Sequence, residues 1–319
     1  MNVIVEEALC QWGMSGARYK LVASRENAVY EVLDARGRFA LRLHRQGYRS
    51  DAELRSELAW MAAVAEGGLS VPSPALTVGG ECLAHIDGMQ VDVLTWLRGR
   101  TLDDALAKCA REIRRSLFFA LGREMALLHQ VSDAWDPPQF FERVHWDRDG
   151  LLGRAPLWDR FWENPELTAS DRGLAERFRR AASDRLEEIE PTLDYGLVHA
   201  DLVPGNVLVD SNVLRLIDFD DGGFGYRLFD VATALLKHMP MADYPRFRIG
   251  MIEGYHSIRP LDVAELDLFL ALRSATYVGW NITRIGEADG AARNRRFIDL
   301  FRSLARKCLQ KGSVSASWA

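Results

Sequence analysis

Three oxygen-bearing side chains stand at chemically suggestive spacings in residues 196–221, GLVHADLVPGNVLVDSNVLRLIDFDD. Asp201 and Asn206 lie in a loop before the strand-like run VLVD, and Asp218 ends the next run, LRLID. A turn between the two runs would bring Asn206 and Asp218 together at one end of a hairpin. Mg²⁺ takes such oxygen ligands and leaves its other positions to phosphate and water. The pattern therefore predicts a Mg²⁺ that bridges nucleotide phosphates, and a carboxylate, Asp201, that orients or deprotonates an attacking hydroxyl.

The other acidic and amide residues of this stretch have simpler explanations. Asp210 and Asn212 flank Ser211 between the two runs and are typical turn residues. Asp220 could contact a second metal or the substrate, or it could cap the loop GGFGYR that follows. The same alternatives hold less strongly for Asp221.

Composition limits the class of protein. The chain has 319 residues, 48% hydrophobic and 27% charged, which is typical of a globular protein with two domains or lobes. A net charge of −5 provides no global basic field, so we expect no nucleic-acid partner. No signal peptide or membrane-spanning run is apparent, which predicts a cytoplasmic protein with no membrane partner. The oligomeric state is left open, and the four separated cysteines predict neither disulfides nor a zinc site.

The elements that must position the acids fall into two halves. Alternating runs at 19–23, 28–34, 38–44, 82–87 and 89–97 predict a five-stranded, mainly antiparallel sheet. A helix interrupts this sheet; it begins at Ser50, where Glu53 completes a capping-box pattern, and ends at Gly67.

From Thr101 onward, apolar residues recur at helical spacing, and residues 196–221 supply the only predicted strand pair of this half. The tail GSVSASWA is expected to fray. The sequence therefore predicts an α+β chain with an N-terminal lobe over 1–94, a hinge at 95–100 and a mostly helical lobe over 101–319.

The pattern H-x-D-x-x-x-x-N followed by D-F-x resembles the catalytic sequence of the protein-kinase-like fold. More narrowly, HADLVPGNVLVD, LRLIDFDD and FDVATAL resemble the aminoglycoside phosphotransferase / choline kinase superfamily, closest to homoserine kinase type II-like, stress-response kinase-like and amicoumacin kinase-like members. The resemblance covers nearly the whole chain, including ENAVYEV, FALRLH, SELAWMAAV, VPSP and LGREMALLH. It implies a two-lobe kinase fold and ATP with Mg²⁺ as cofactors.

The resemblance also implies roles for particular residues. Asp201 would be the catalytic base or hydroxyl-orienting carboxylate, and Asn206 and Asp218 would hold Mg²⁺. Asp230, in FDVA, would accept hydrogen bonds from the catalytic-loop backbone. His199 would pack beneath the same loop as a structural residue.

The N-terminal lobe is expected to grip the nucleotide phosphates. Protein kinases use a lysine on the third strand, but FALRLH places Arg42 in that register. Arginine keeps the charge and can grip phosphate oxygens bidentately, although its fork has a different shape. Glu53 is already explained by the capping box, so Glu57, one turn later and at the helix position that the resemblance implies, is the predicted partner of Arg42.

Two further nucleotide contacts are weaker predictions. No glycine-rich loop is present in VASRENAVYEV, so backbone amides between Ser24 and Asn27 are the candidates for covering the phosphates. Leu94 and Trp96 would meet the adenine through their backbone groups, with an ordinary buried strand as the alternative.

The predicted partner is a small-molecule hydroxyl substrate, whose identity the sequence defines least. The segment 231–319 has 13 Lys and Arg against 8 Asp and Glu, which argues mildly against polycationic aminoglycosides. Tyr277, Trp280 and Arg284, with Asn281, recur at helical spacing and predict one helix face of aromatic residues that ends in a cation. That face could be ordinary packing, or Arg284 could meet the carboxylate of an amino acid such as homoserine.

Three functions remain open at this point. The leading one is an ATP- and Mg²⁺-dependent kinase that phosphorylates a hydroxyl of an amino alcohol, an amino acid or a hydroxylated antibiotic. The alternatives are a serine/threonine protein kinase of the stress-response type and a nucleotide-binding pseudokinase. The lack of a glycine-rich loop and the presence of Arg42 keep the pseudokinase open.

Overall fold

The computed structural model describes residues 2–24, 27–211 and 213–315. Its strands are β1 Arg18–Ser24, β2 Ala28–Asp34, β3 Gly37–Leu43, β4 Ala84–Ile86, β5 Met89–Thr95, β6 Arg100–Thr101, β7 His145–Trp146, β8 Tyr195–Val198, β9 Val207–Asp210, β10 Val213–Leu216 and β11 Gly223–Tyr226. Its α-helices are α1 Asn2–Gln11, α2 Asp51–Glu66, α3 Leu102–Lys108, α4 Arg111–Ala134, α5 Arg148–Leu152, α6 Ala169–Ile189, α7 Arg227–Leu236, α8 Tyr244–His256, α9 Leu266–Trp280 and α10 Gly290–Ser315. The predicted α+β class is confirmed.

Internal contacts divide the chain into two units. The first unit comprises Met1–Cys109, Gln130–Arg143 and Pro204–Asp220, and the second comprises Ala110–His129, Val144–Val203 and Asp221–Ala319. Asp201 therefore belongs to the second unit, whereas Asn206 and Asp218 belong to the first. The predicted lobe limits at 94 and 101 stay a prediction.

The first unit contains the predicted five-stranded sheet, in the order β1-β2-β3-β5-β4. All of its pairings are antiparallel. Helix α1, which the sequence patterns did not predict, places Val5 and Leu9 in one apolar cluster with residues of β2, β3 and β5, and Trp12, which directly follows the helix, joins the same cluster. This packing covers one side of the sheet with a helix.

Helix α2 begins and ends as its sequence predicts. The Ser50 hydroxyl accepts the Glu53 amide at 3.1 Å, and a Glu53 carboxylate oxygen accepts the Ser50 amide at 2.8 Å. These reciprocal bonds form the predicted capping box and satisfy two amides that the first turn leaves unpaired. Gly67 ends the helix.

A second small sheet in the first unit has the order β10-β9-β6. It contains the predicted hairpin of β9 and β10, and Val213 pairs with Asp210 at its tip. The turn residue Asn212 lies outside the described residues. The Asp210 carboxylate accepts a bond from Arg215 at 2.9 Å, which fits the turn interpretation for this acid.

The second unit is largely helical, but the prediction of a single strand pair after Thr101 was wrong. Strands β7, β11 and β8 form a further sheet in which β11 is central. The runs involved are two to four residues long, too short for an alternating pattern to be read from them. The predicted frayed tail was also partly wrong, because α10 continues to Ser315, and 316–319 lie outside the described residues. None of the described helices combines the length and the hydropathy that crossing a membrane requires.

Candidate active site

The loop that carries Asp201 is fixed from below by a buried carboxylate. Asp230 on α7 is fully buried and accepts the backbone amides of His199 at 2.8 Å and Ala200 at 2.6 Å. Ala200 has φ +63°, a left-handed conformation that a residue with a Cβ adopts at some cost. The two bonds hold the backbone in this strained turn, as the resemblance implied for Asp230.

A buried histidine completes the support of Asp230. The Nε2 of His129 donates to the Asp230 carboxylate at 3.0 Å, and its Nδ1 accepts the Tyr255 hydroxyl at 2.8 Å. Burial, followed by the positive charge of Arg227, lowers the pKa of His129 to about 4, so the ring is neutral near pH 7. For Asp230, burial alone would raise the pKa, but the hydrogen bond from His129 and the surrounding donors lower it.

The two side chains next to this turn differ in their surroundings. His199 is fully buried, and its Nδ1 accepts the Asp201 amide at 3.4 Å, which agrees with the predicted structural role. The Asp201 side chain keeps 22% of its surface exposed. Its Oδ1 accepts a bond from Nη2 of Arg273 on α9 at 2.8 Å. A carboxylate that is held in place yet still accessible can orient a hydroxyl.

The predicted magnesium ligands stand at the base of the hairpin in the first unit. Asn206 ends a short 3₁₀ turn, Pro204–Asn206, and its carbonyl accepts the Ile217 amide at 3.0 Å. Asp218 is the residue after Ile217; it is exposed and has φ +70°. The predicted proximity of the two chain segments is confirmed.

The donor chemistry of this pair fits a hard cation, since one amide and one carboxylate oxygen are ligands that Mg²⁺ accepts. Within residues 2–24, 27–211 and 213–315, no three His, Cys, Asp or Glu side chains group as a metal site. An ion held by Asn206 and Asp218 would therefore take its other ligands from nucleotide and water.

The backbone just after Asp218 is held by two arginines. Nη2 of the buried Arg143 donates to the carbonyls of Phe219 at 3.0 Å and Asp220 at 2.6 Å. Nη2 of Arg49 donates to the same Asp220 carbonyl at 3.0 Å, and its Nε lies 3.5 Å from the Asp220 carboxylate. Burial and the nearby charge of Glu57 raise the pKa of Asp220. Asp220 is 8% exposed and faces Arg49, so its predicted contact with metal or substrate stays a prediction.

Arg42 lies in a buried network of charges in the first unit. Its Nη1 donates to Glu57 at 2.8 Å, which is the predicted pair. Its Nε and Nη2 each donate to a different oxygen of Asp92 at 2.8 Å, and His44 contacts the same Asp92 carboxylate at 2.7 Å. Burial alone would lower the pKa of Arg42, but the two carboxylates raise it well above its usual value. The guanidinium is thus fixed by two carboxylates, and its role at phosphate stays a prediction.

The structure describes most of the residues predicted to cover the phosphates and to meet the adenine. Residues 25 and 26 lie outside the described residues, whereas Ser24 ends β1 and is exposed. The Asn27 side-chain oxygen lies 3.4 Å from the Arg45 amide, which donates to it. Leu94 is buried in β5, and the Trp96 amide donates to the Arg38 carbonyl at 3.1 Å.

The expected aromatic face does not lie on one helix. Helix α9 ends at Trp280, and Arg284 lies on a separate 3₁₀ turn, Ile282–Arg284. Asn281 is fully buried and bonds to the Gly290 carbonyl, so it serves the chain reversal. The prediction of a continuous helix was wrong because periodicity alone does not mark an end where a buried amide turns the chain. The Arg284 guanidinium lies 4.3 Å from the Trp280 ring centroid.

Sequence reasoning missed several residues of these networks, among them Asp92, His129, Arg143 and Arg273. Arg273 had a legible signal, since it is the one charged residue in LFLALRSATYVGW, and a cation within such an apolar helix requires a partner. Asp92 likewise interrupts the apolar run VDVL of a strand. The other two became visible only through contacts distant in sequence.

Comparison with known proteins gives consistent results along the length of the chain. At the sequence level, amicoumacin kinase of Bacillus subtilis strain 168 is 25% identical over 312 residues, with 90% of this chain and 88% of that protein covered. Homoserine kinase of Sinorhizobium medicae is 27% identical over 274 residues, with 84% and 78% covered.

Comparison with solved structures also identifies kinases as similar to this chain. The microcompartment-associated aminopropanol kinase superposes with a TM-score of 0.84 at 30% identity, with 98% of both chains covered. An amicoumacin kinase solved with AMP-PNP, Ca²⁺ and Ami superposes with a TM-score of 0.75 at 22% identity, with 96% and 93% covered, which supports the fold. The predicted kinase-like fold is confirmed.

The family model described as the phosphotransferase enzyme family matches residues 18–269, from β1 into α9. That range includes the loop that carries Asp201, the hairpin with Asn206 and Asp218, and the Arg42 network. The chain therefore belongs to the phosphotransferase enzyme family.

Proposed function

We propose that this phosphotransferase moves the γ-phosphate of ATP to a hydroxyl of a small molecule, with Mg²⁺ as the metal. The observation that carries the proposal is Asp201, a partly exposed carboxylate on a backbone turn that Asp230 fixes from below. Phosphoryl transfer depends mainly on positioning and on stabilising charge, so a rigidly held acceptor-side carboxylate is the feature that the reaction requires.

In this proposal each polar residue has one role. Asp201 orients the acceptor hydroxyl and takes up its proton. Asn206 and Asp218 hold the metal ion, which supplies positive charge to the phosphate oxygens. Arg42, fixed by Glu57, is the proposed phosphate-binding cation. The kinases similar to this chain and the AMP-PNP in one similar structure support ATP as the donor.

The acceptor is proposed to be an amino alcohol, an amino acid or a hydroxylated antibiotic. The similar proteins are named for aminopropanol, homoserine and amicoumacin, all small molecules. The excess of basic residues over 231–319 argues against polycationic aminoglycosides as preferred acceptors. A cytoplasmic location belongs to the proposal because the reaction consumes ATP.

The test is a phosphorylation screen of the purified chain with Mg²⁺-ATP. Homoserine, 1-amino-2-propanol, choline, amicoumacin and an aminoglycoside are offered separately, and products are identified by mass spectrometry and ³¹P NMR. We expect one of the first four to be phosphorylated, with activity lost in EDTA and restored by Mg²⁺.

The same screen separates the two alternative functions. A phosphorylated protein or autophosphorylation without a small-molecule product would point to a protein kinase. Nucleotide binding without any ATP turnover, even to water, would point to a pseudokinase and contradict the proposal.

A further inference from the structure

Arg273 is a fully buried arginine in the middle of α9. Moving a guanidinium out of water is costly, and a buried charge persists only where partners compensate it. The rest of α9 is almost entirely apolar, and Arg273 has no carboxylate neighbour on its own helix. Its compensation must therefore come from elsewhere in the second unit.

The ion-pair partner of Arg273 is the proposed catalytic residue. Nη2 donates to Oδ1 of Asp201 at 2.8 Å and lies 3.2 Å from the Tyr277 hydroxyl. Among the residues that the structure describes, no other carboxylate pairs with Arg273, and its buried Nε and Nη1 have no hydrogen-bond acceptor. The guanidinium is thus directed at one carboxylate, that of Asp201.

Three aromatic rings hold the guanidinium and form what we call the arginine cage: Trp158, Phe229 and Tyr277. The carbon at the centre of the guanidinium lies 4.4 Å from the Trp158 centroid, 4.5 Å from that of Tyr277 and 5.2 Å from that of Phe229. A desolvated cation is attracted to the negative face of each aromatic ring that lies within about 6 Å of it. The cage therefore helps to compensate the buried positive charge of the guanidinium, whose Nε and Nη1 have no acceptors.

The cage is itself rigid. Tyr277 stacks on Phe297 with ring centroids 5.0 Å apart, and Phe229 stacks on Trp146 at 5.1 Å. Trp158 packs edge-on against the same Trp146 at 5.3 Å. The packed rings therefore hold the guanidinium, and the guanidinium in turn bonds to the Asp201 carboxylate.

We infer that Arg273 is a positioning residue for the catalytic carboxylate. It commits Oδ1 of Asp201 to a fixed hydrogen bond, so that the carboxylate presents one defined edge to the acceptor hydroxyl. The inference rests on the proposed function of Asp201. A positioned carboxylate matters because a displacement of about 1 Å at a reacting group can cost on the order of 10²-fold in rate.

The kinetic test uses Arg273→Met, Arg273→Lys and Arg273→Ala, with Arg302→Met as the matched control. Arg302 is another ion-paired arginine of the second unit, bonded to Asp171 at 2.7 Å. We expect kcat of Arg273→Met to fall by about 10²-fold with KM for ATP within about twofold of wild type. Arg273→Lys should recover part of kcat, and Arg302→Met should keep it.

Chemical rescue separates positioning from general destabilisation. Arg273→Ala leaves the arginine cage without its cation. Methylguanidinium at low millimolar concentration should then raise kcat of this variant at least about tenfold, which corresponds to about 1.4 kcal/mol of transition-state stabilisation. Methylammonium should restore less, and wild type should not respond. A kcat of Arg273→Met within twofold of wild type, or a loss that methylguanidinium does not reverse while Arg273→Ala stays folded by circular dichroism, would overturn the inference.

A structural measurement decides the inference even without a known acceptor. Crystal structures of wild type and Arg273→Met should differ in the Asp201 side chain, which is expected to leave its wild-type rotamer or lose order. An Asp201 carboxylate that stays in place would contradict the positioning role. A wild-type chain that phosphorylates nothing would instead refute the proposed function and leave this comparison valid.

Discussion

Replacement of Asp230 tests most sharply how the loop that carries Asp201 is supported. Its two carboxylate oxygens accept three buried donors, the amides of His199 and Ala200 and the Nε2 of His129. Asparagine can retain an acceptor for the two donors at Oδ2, but its NH₂ group then faces the Ala200 amide. Alanine removes the acceptor from all three donors.

The magnitude follows from the number of orphaned groups. A buried donor left without an acceptor costs about 1–3 kcal/mol, and more where the lost acceptor is charged. We therefore expect Asp230→Asn to lower the free energy of unfolding by about 3 kcal/mol and Asp230→Ala by about 5 kcal/mol. Because Ala200 needs these bonds to hold φ +63°, kcat should fall in the same order.

The assay is urea unfolding followed by circular dichroism, with kcat measured on the folded fraction. Asp262→Asn is the matched control, since the Asp262 carboxylate also accepts a backbone amide, at 2.9 Å, but in an exposed turn. It should change the free energy of unfolding by less than about 1 kcal/mol. A change below 1 kcal/mol in both Asp230 variants, with kcat retained, would refute the support that we assign to Asp230.

Two further predictions concern buried ionisable side chains. Arg42→Met leaves the buried carboxylates of Glu57 and Asp92 without their main cation, so urea unfolding should show a loss of about 3–5 kcal/mol, with a smaller loss for Arg42→Lys; equal stability of the three proteins would contradict it. The pKa of His129 is about 4 in the folded chain against an ordinary 6.5. Between these pH values the unfolded chain binds a proton at His129 that the folded chain does not bind. The free energy of unfolding should therefore fall by about 3 kcal/mol as pH drops from 6.5 to 4. His129→Gln should remove that part of the pH dependence in urea titrations, and an unchanged slope would show that other groups cause it.

Local patterns predicted the elements well where one signal dominated. Strands β1, β2, β3 and β5 of the first sheet are each seven residues long, and α2 has both a capping box and a stopping glycine. These element limits depend on neighbours within a few residues, which the sequence displays directly. The pair of Arg42 with Glu57 was instead implied by the family resemblance, which places a cation on the third strand and a glutamate on the helix.

Contacts that depend on tertiary pairing were beyond such patterns. Asp92 joins Arg42 because β3 and β5 are neighbours with Arg42 opposite Asp92, a register that neither strand encodes alone. Arg273 reaches Asp201 across 72 residues. The strand β11 is only four residues long and acquires its conformation from pairing with β7 and β8.

The most direct measurement of the central claim compares Asp201→Asn with wild type for both nucleotide binding and phosphoryl transfer. Asparagine keeps an oxygen that can accept the Arg273 bond, so the fold should survive while the charge that orients and deprotonates the hydroxyl is lost. We predict that calorimetry gives a Kd for Mg²⁺-ATP within about threefold of wild type and that transfer to the acceptor found by the screen falls by at least about 10³-fold, the scale of general-base catalysis plus lost orientation. Transfer at the wild-type rate by Asp201→Asn would contradict the account.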